Sequence, residues 1–153
     1  MKDYFKSPIG WLELIASDNF LRKIHFMERT LDSSSPTKND LIHRVMEELE
    51  EYFDGNRKKF SVPLKPEGTD FQLTVWDELQ HIPYGKTKTY GEIAHDLGDP
   101  NKVRAVGKAN GHNPIPIIIP CHRVIGADNS LVGYAGGIKR KKILLKHEGA
   151  ILL

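Results

Sequence analysis

The stretch TYGEIAHDLGDPNKVRAVGKANGHN, residues 89–113, decides how the second half of this chain folds. It reads as two short helices, Tyr90 to Leu97 and Asn101 to Ala109, around a Gly98-Asp99-Pro100 corner. Two short helices about a tight glycine turn form a helix-turn-helix candidate. Helical hairpins are common, so the pattern alone leaves both DNA binding and a plain packing corner open. The second helix carries Arg104, Ala105, Gly107, Lys108 and Ala109. A helix that reads base edges in the major groove needs several long polar side chains. This one is mostly small, which permits close approach of backbone to phosphates or to a narrow groove. Ala105 and Ala109 would equally allow tight packing on a neighbouring helix.

Upstream, TDFQLTVWDELQHIPYG (69–85) opens with Thr69 and Gln72 in capping-box spacing. Phe71, Val75, Trp76 and Leu79 supply its apolar face, and Pro83 and Gly85 end it. The basic, proline-broken stretch NRKKFSVPLKPEG (56–68) is the best boundary, with the break near Pro66 to Gly68. Two domains are therefore expected, residues 1–66 and 67–153. The first opens with two strand-like runs, broken at Pro8, Gly10 and the Ser17-Asp18-Asn19 cluster. Leu41, Ile42, Val45, Leu49, Tyr52 and Phe53 then form one stripe of an amphipathic helix. Thr37 or Asn39 can cap its start and Gly55 its end.

At 153 residues, 39% hydrophobic and 27% charged, the composition is that of a soluble globular protein. One cysteine cannot form an internal disulfide, and the seven histidines show no paired metal-ligand spacing. The first twenty residues lack an apolar core of signal-peptide length. No stretch approaches the roughly 20 apolar residues of a membrane span. These features point to a reducing, cytoplasmic setting, nuclear only in a eukaryotic host. Charge is uneven along the chain. Residues 1–83 hold 11 Lys and Arg against 15 Asp and Glu (net −4), and residues 84–153 hold 11 against 5 (net +6). A basic back half suits a polyanionic partner, although a merely solvated surface also fits.

The lone thiol stands in IPIIIPCHRVIG, residues 115–126. An unperturbed cysteine is only a few per cent thiolate at neutral pH, and an adjacent base or positive charge raises that fraction. His122 and Arg123 both follow Cys121. Neighbours on a strand point to opposite faces, so His122 serves Cys121 only if the chain turns here or a water bridges them. The bland alternative is a small buried cysteine at the end of a core strand. Beyond it, Tyr134, a flexible Ala135-Gly136-Gly137 turn and a helix from about Lys139 follow. Basic Lys139 to Lys142 can dock phosphate or simply be solvated. Glu148 could orient a histidine, as the third group of a nucleophile–base–orienter set does; alone, it reads as a surface glutamate.

Taken together, IPCHRVIG, the preceding GHNPIPII, the following GYAGG and LLKHEG, and FQLTVWDELQHIPYGKTKTYGEIA strongly resemble the O6-alkylguanine-DNA alkyltransferase family. The match covers about residues 69–150, and residues 1–66 fit that family's variable N-terminal domain. The resemblance implies an α/β N-terminal domain, a small ribonuclease H-like sheet plus helix. A mainly α, winged-helix-like domain with a helix-turn-helix would follow. It implies that Cys121 takes the alkyl group from guanine O6, with His122 as its base through a water and Glu148 fixing the histidine tautomer. Tyr90 would donate a proton toward the departing guanine and turn the backbone phosphate. Arg104 would fill the gap left by the flipped nucleotide, and Asn113 would tie the helix-turn-helix to the active-site segment. Gln72, Tyr90, Arg104, Ala105, Gly107 and Lys108 would meet DNA. Main-chain carbonyls of Cys121 and Val124, with Tyr134, Ala135 and Gly136, would line the base pocket. The implied partner is double-stranded DNA carrying alkylated guanine, met in the minor groove with little sequence preference. The protein would act as a monomer, without cofactor and away from membranes.

Ala135 stands where many members of the family carry a serine hydroxyl, which leaves leaving-group stabilisation more to the backbone and Tyr90. Asn110 and Gly111 replace bulkier side chains of some relatives. Some relatives bind zinc in the N-terminal domain; with no cysteine there and only scattered His25 and His43, no metal site is expected. Two rival functions stand beside this one. A non-catalytic lesion-sensing module would not need Cys121, and a cysteine hydrolase would need an oxyanion hole and would turn over.

Overall fold

Alternation in the first 26 residues becomes three strands, β1 (Lys2–Ser7), β2 (Gly10–Ser17) and β3 (Phe20–Phe26). They form an antiparallel sheet in the order β1-β2-β3, with Lys2 opposite Ile15 and Leu12 opposite Phe26. Asp18 and Asn19 both take positive φ (53° and 64°), the backbone of a two-residue hairpin turn that Asp and Asn tolerate better than most residues. These coordinates are those of a computed structural model, which describes residues 1–29, 31 and 39–151. The chain divides into two units, Met1–Glu67 and Gly68–Leu153.

In the first unit, α1 (Asp40–Phe53) packs on the sheet through Ile42, Val45, Leu49 and Tyr52, all fully buried with Leu12, Leu14 and Leu21 of the strands. Asn39 caps the helix, its side chain accepting from Ile42 N at 2.9 Å. Thr37, the other capping candidate, lies outside the described residues. One carboxylate interrupts the buried stripe. Glu48 accepts from Ser61 N at 2.8 Å and from Ser61 Oγ at 2.5 Å, with Arg44 and Arg57 nearby. It clips to the helix the extended segment whose Pro63 carbonyl and Lys65 amide bond Leu21.

The second unit begins with α2 (Asp70–Leu79), where both bonds of the Thr69/Gln72 capping box form. Next come β4 (Lys88–Thr89), α3 (Tyr90–Asp96), a 3₁₀ turn (Pro100–Lys102) and α4 (Val103–Gly111). A 3₁₀ turn at Cys121–Arg123, β5 (Val124–Ile125) and α5 (Ile138–His147) complete it. α3 has its own capping box, with Thr89 Oγ1 accepting from Glu92 N and Glu92 Oε1 from Thr89 N. At the corner, Gly98 has φ +91° and Asp99 accepts from Asn101 N at 3.0 Å. Trp76 Nε1 donates to Ala109 O at 2.8 Å, locking α2 on α4. Ala109 is buried in that packing while Ala105 is exposed, so the two readings of the small residues divide by face.

β4 and β5 pair in parallel, Lys88 with Val124 and Thr89 with Ile125. This two-residue ladder sets Tyr90, the next residue after β4, beside the segment that begins at Cys121. That segment is not the end of a core strand, as the bland reading had it. Residues 115–120 run through buried turns, and Ile117 has φ +74°, an outlier for a β-branched residue. Asn113 holds these turns, donating from Nδ2 to Ile119 O at 2.7 Å and accepting from Ile115 N at 3.0 Å.

Candidate active site

Because Cys121–Arg123 is a 3₁₀ turn, successive side chains do not alternate between opposite faces as they would on a strand. Cys121 is a free, buried thiol. Burial pushes its pKa up to about 11, against the Asn113 side chain and the positive charge of Lys141. At neutral pH it rests as the thiol and requires a base to become a nucleophile.

That base is adjacent and fully buried. His122 is 0% exposed, and its Nε2 lies 2.8 Å from Glu148 Oε2. Burial lowers its pKa, with Glu148 pulling the other way, so the imidazole is neutral near pH 7. Glu148 is a carboxylate: burial tends to raise its pKa, yet His122 and Arg123 hold it far below the usual range. A carboxylate can only accept, so Nε2 carries the proton and Nδ1 is left as a basic lone pair. Among the described residues Nδ1 has no hydrogen-bond partner. The triad order expected from the sequence, Cys121–His122–Glu148, is thus present as a buried constellation.

Arg123 has a different place from the one suggested by its position beside the thiol. Its Nε and Nη2 donate to Glu148 at 2.8 and 3.0 Å, Nη1 donates to Ile82 O at 2.6 Å, and the guanidinium lies 5.8 Å from the Tyr84 ring centre. It anchors the carboxylate. The cation that acts on the thiol is Lys141, and the reading of Lys139 to Lys142 as a solvated or phosphate-docking cluster fails at this residue. Lys141 is 0% exposed, and Nζ donates to the carbonyls of Val124 and Val132. Burial brings its pKa down to about 8. The sequence signal was present but overlooked: with Leu144, Leu145 and Glu148, Lys141 shares the buried face of α5 and its C-cap.

Tyr90 donates to Val132 O at 2.7 Å, so one carbonyl receives both the phenol and Lys141. Burial and the nearness of Cys121 push the phenol to about 12, and Asn110 opposes this. Gly133 has φ +73°, and a Cβ there would sit 2.6 Å from Tyr90 Oη, so glycine is what lets the 126–137 loop reach the phenol. Tyr134 is buried, Ala135 is exposed, and Gly136 accepts from Arg140 Nη1 at 3.1 Å. Arg104, Ala105 and Lys108 are exposed on α4, and Arg104 has no ion-pair or hydrogen-bond partner among the described residues. Gly107 faces the Tyr90 ring. Gln72 is half-buried, its carbonyl oxygen used by the α2 cap. Among the described residues no group of three or more His, Cys, Asp or Glu could hold a metal ion, and no helix is long and apolar enough to cross a membrane.

A search for relatives of a chain with this site finds two domain families that divide it end to end. Residues 1–66 match the 6-O-methylguanine DNA methyltransferase ribonuclease-like domain, and residues 70–150 match the 6-O-methylguanine DNA methyltransferase DNA binding domain. The chain belongs to the 6-O-methylguanine DNA methyltransferase family. It is 47% identical over 150 residues to a methylated-DNA–protein-cysteine methyltransferase of Methanosarcina acetivorans, covering 95% of this chain and 96% of that one. A Mycobacterium bovis methyltransferase of the same name is 49% identical over 146 residues, covering 93% and 88%. Among solved structures, Mycobacterium tuberculosis OGT in complex with DNA superposes with a TM-score of 0.86 at 46% identity, covering 96% of this chain and 91% of that one. Like the family's two domain models, the structure pairs a small antiparallel sheet and helix with a mainly helical second unit.

Proposed function

We propose that this chain is a DNA repair protein that removes the alkyl group from O6-alkylguanine and keeps it, irreversibly, on Cys121. The observation that carries this reading is the buried His122, tautomer-fixed by Glu148, with Nδ1 unpaired next to the only cysteine. In the reaction the thiol proton passes, through a water, to His122 Nδ1. Sγ attacks the saturated carbon in line, the S–C bond forming as the C–O6 bond breaks. Guanine departs as an anion and is protonated, with Tyr90 as the donor at the base and the proton lost by the thiol balancing the one guanine gains. To serve in this way Tyr90 must release Val132 O, so loop 126–137 moves when the base enters. Thiolate is a poor leaving group from saturated carbon, and water does not regenerate the cysteine.

An alkylated O6 faces the interior of a base pair, and the base must be flipped to be reached, at a cost of about a few kcal/mol. The exposed, unpaired Arg104 on a helix of small residues suits a wedge that enters the minor groove and occupies the vacated position. Phosphate contacts from Lys108 and neighbouring cations would make binding weak in sequence preference and strongly salt-dependent. The protein acts as a monomer on double-stranded DNA.

Arg104→Ala is expected to slow repair of O6-methylguanine in a duplex by about tenfold or more, a fraction of the flipping cost. The loss on free O6-benzylguanine, which needs no flipping, is expected to be smaller. Single-turnover rates on both substrates check this, and equal losses contradict the wedge. The function itself is tested by titrating methylated duplex with increasing protein. Repaired duplex should equal protein added and stop there, whereas continued turnover would favour a hydrolase.

A further inference from the structure

Asn110 lies on the inward face of α4 and is 1% exposed. Its Nδ2 donates to the main-chain carbonyl of Cys121 at 3.3 Å. That bond fixes the amide's orientation, because the carbonyl can only accept and the nitrogen must face it. Oδ1 is then the other end of the group, and among the described residues it is buried without a hydrogen-bond partner. The same side chain stands beside the Tyr90 hydroxyl, whose pKa it holds down. An unpaired acceptor is therefore held between the nucleophile's own carbonyl and the phenol. A buried amide oxygen left unpaired is destabilising in every folded molecule, and leucine would fill the site without that cost. The protein's nearest donors are engaged elsewhere: Tyr90 Oη and Lys141 Nζ both donate to Val132 O.

The chemistry of the lesion identifies the missing donor. Alkylation at O6 removes the N1 hydrogen of guanine, and N9 is bonded to the sugar. N1, N3, N7 and O6 are all acceptors, so the exocyclic 2-amino group holds the only N–H donors left on the base. We propose that Asn110 is a specificity-determining residue whose Oδ1 accepts from the 2-amino group of the flipped base, while its Nδ2 steadies the Cys121 carbonyl. This rests on the function proposed above and extends it. The pocket selects 6-alkoxypurines that carry a 2-amino group, and an analogue lacking it leaves the buried oxygen unpaired.

The test compares single-turnover methylation of Cys121 by two duplexes that differ only at the lesion, O6-methylguanine or O6-methylhypoxanthine, which lacks the amine. The unaltered chain is expected to favour O6-methylguanine by about tenfold, the scale of one buried hydrogen bond and its unpaired penalty. In Asn110→Leu that preference should fall below about threefold. Asn110→Ala, which removes the amide with less bulk, gives the same reading if the leucine variant does not fold. Equal rates on the two duplexes for the unaltered chain would overturn the proposal. So would variants slowed on both duplexes with the preference intact, the signature of a structural role alone. An unaltered chain that takes methyl from neither duplex overturns the function reading itself, and this one with it.

Discussion

Cys121→Ser is expected to abolish alkyl transfer while leaving DNA binding in place. Oxygen in that position keeps the geometry of the Cys121–Arg123 turn but loses the nucleophile. The hydroxyl is a far weaker acid than a thiol whose own pKa already stands at about 11. The loss in rate should be about four orders of magnitude or more, as for removal of a nucleophile that works as a unit with its base. A more polar side chain in the pocket around Cys121 costs about 1–3 kcal/mol of stability at most, so the variant should still fold. Binding to methylated duplex, followed by mobility shift, should change little, since Arg104 and Lys108 are exposed on α4 and untouched. Residual methyl transfer to the serine variant would mean that the acceptor is another residue.

Glu148→Gln should be the second severe change, because it strikes catalysis and folding together. The carboxylate takes His122 Nε2 through one oxygen and Arg123 through both. An amide cannot accept from all of them, so either the imidazole loses its orienter or the buried guanidinium loses its counter-charge. Breaking a buried pair in this way costs about 3–5 kcal/mol. Methyl transfer should fall by about 10²–10⁴ through the lost tautomer. Urea unfolding and single-turnover kinetics measure the two effects separately. The pH dependence follows from the same groups. Glu148 is held below its ordinary value of 4.5, so its contribution to stability is complete above that pH and is lost as pH falls through the folded value. Glu148→Gln should flatten this acid limb. His122 is depressed below its ordinary 6.5, so the unfolded chain binds that proton first and stability also declines as pH drops beneath 6.5. The rate of methyl transfer should be level through neutrality and fall only below that point.

What could be read from the sequence was set by locality. The capping box at Thr69 and the Asn39 cap are signals within three residues, and both appear as hydrogen bonds. The corner at Gly98-Asp99-Pro100 and the stripe of α1 are likewise local and periodic. The Thr89/Glu92 capping box was equally local and went unread. The lysine run failed for another reason. Four successive basic residues look solvated, yet one of them, Lys141, turns inward because two loop carbonyls, Val124 and Val132, wait for it. Those carbonyls are set by tertiary packing and leave no pattern in the chain. Arg123 was misplaced in the same way: its adjacency to Cys121 suggested thiol activation, but its partners Ile82 and Glu148 are distant in sequence. The positive φ of Ile117 was beyond reach altogether, since sterics disfavour it and only the Asn113-braced turns impose it. The lone thiol with its histidine was visible from the start, and its chemistry became legible only when burial and the Glu148 contact were known.

The most direct measurement is the intact mass of the protein after incubation with a duplex bearing O6-methylguanine, followed by peptide mapping. The account predicts a gain of about 14 Da, saturating at one per molecule and confined to the peptide containing Cys121. An unmodified protein that nevertheless binds the duplex tightly would contradict it, and would leave Cys121 a structural residue of a lesion-sensing module.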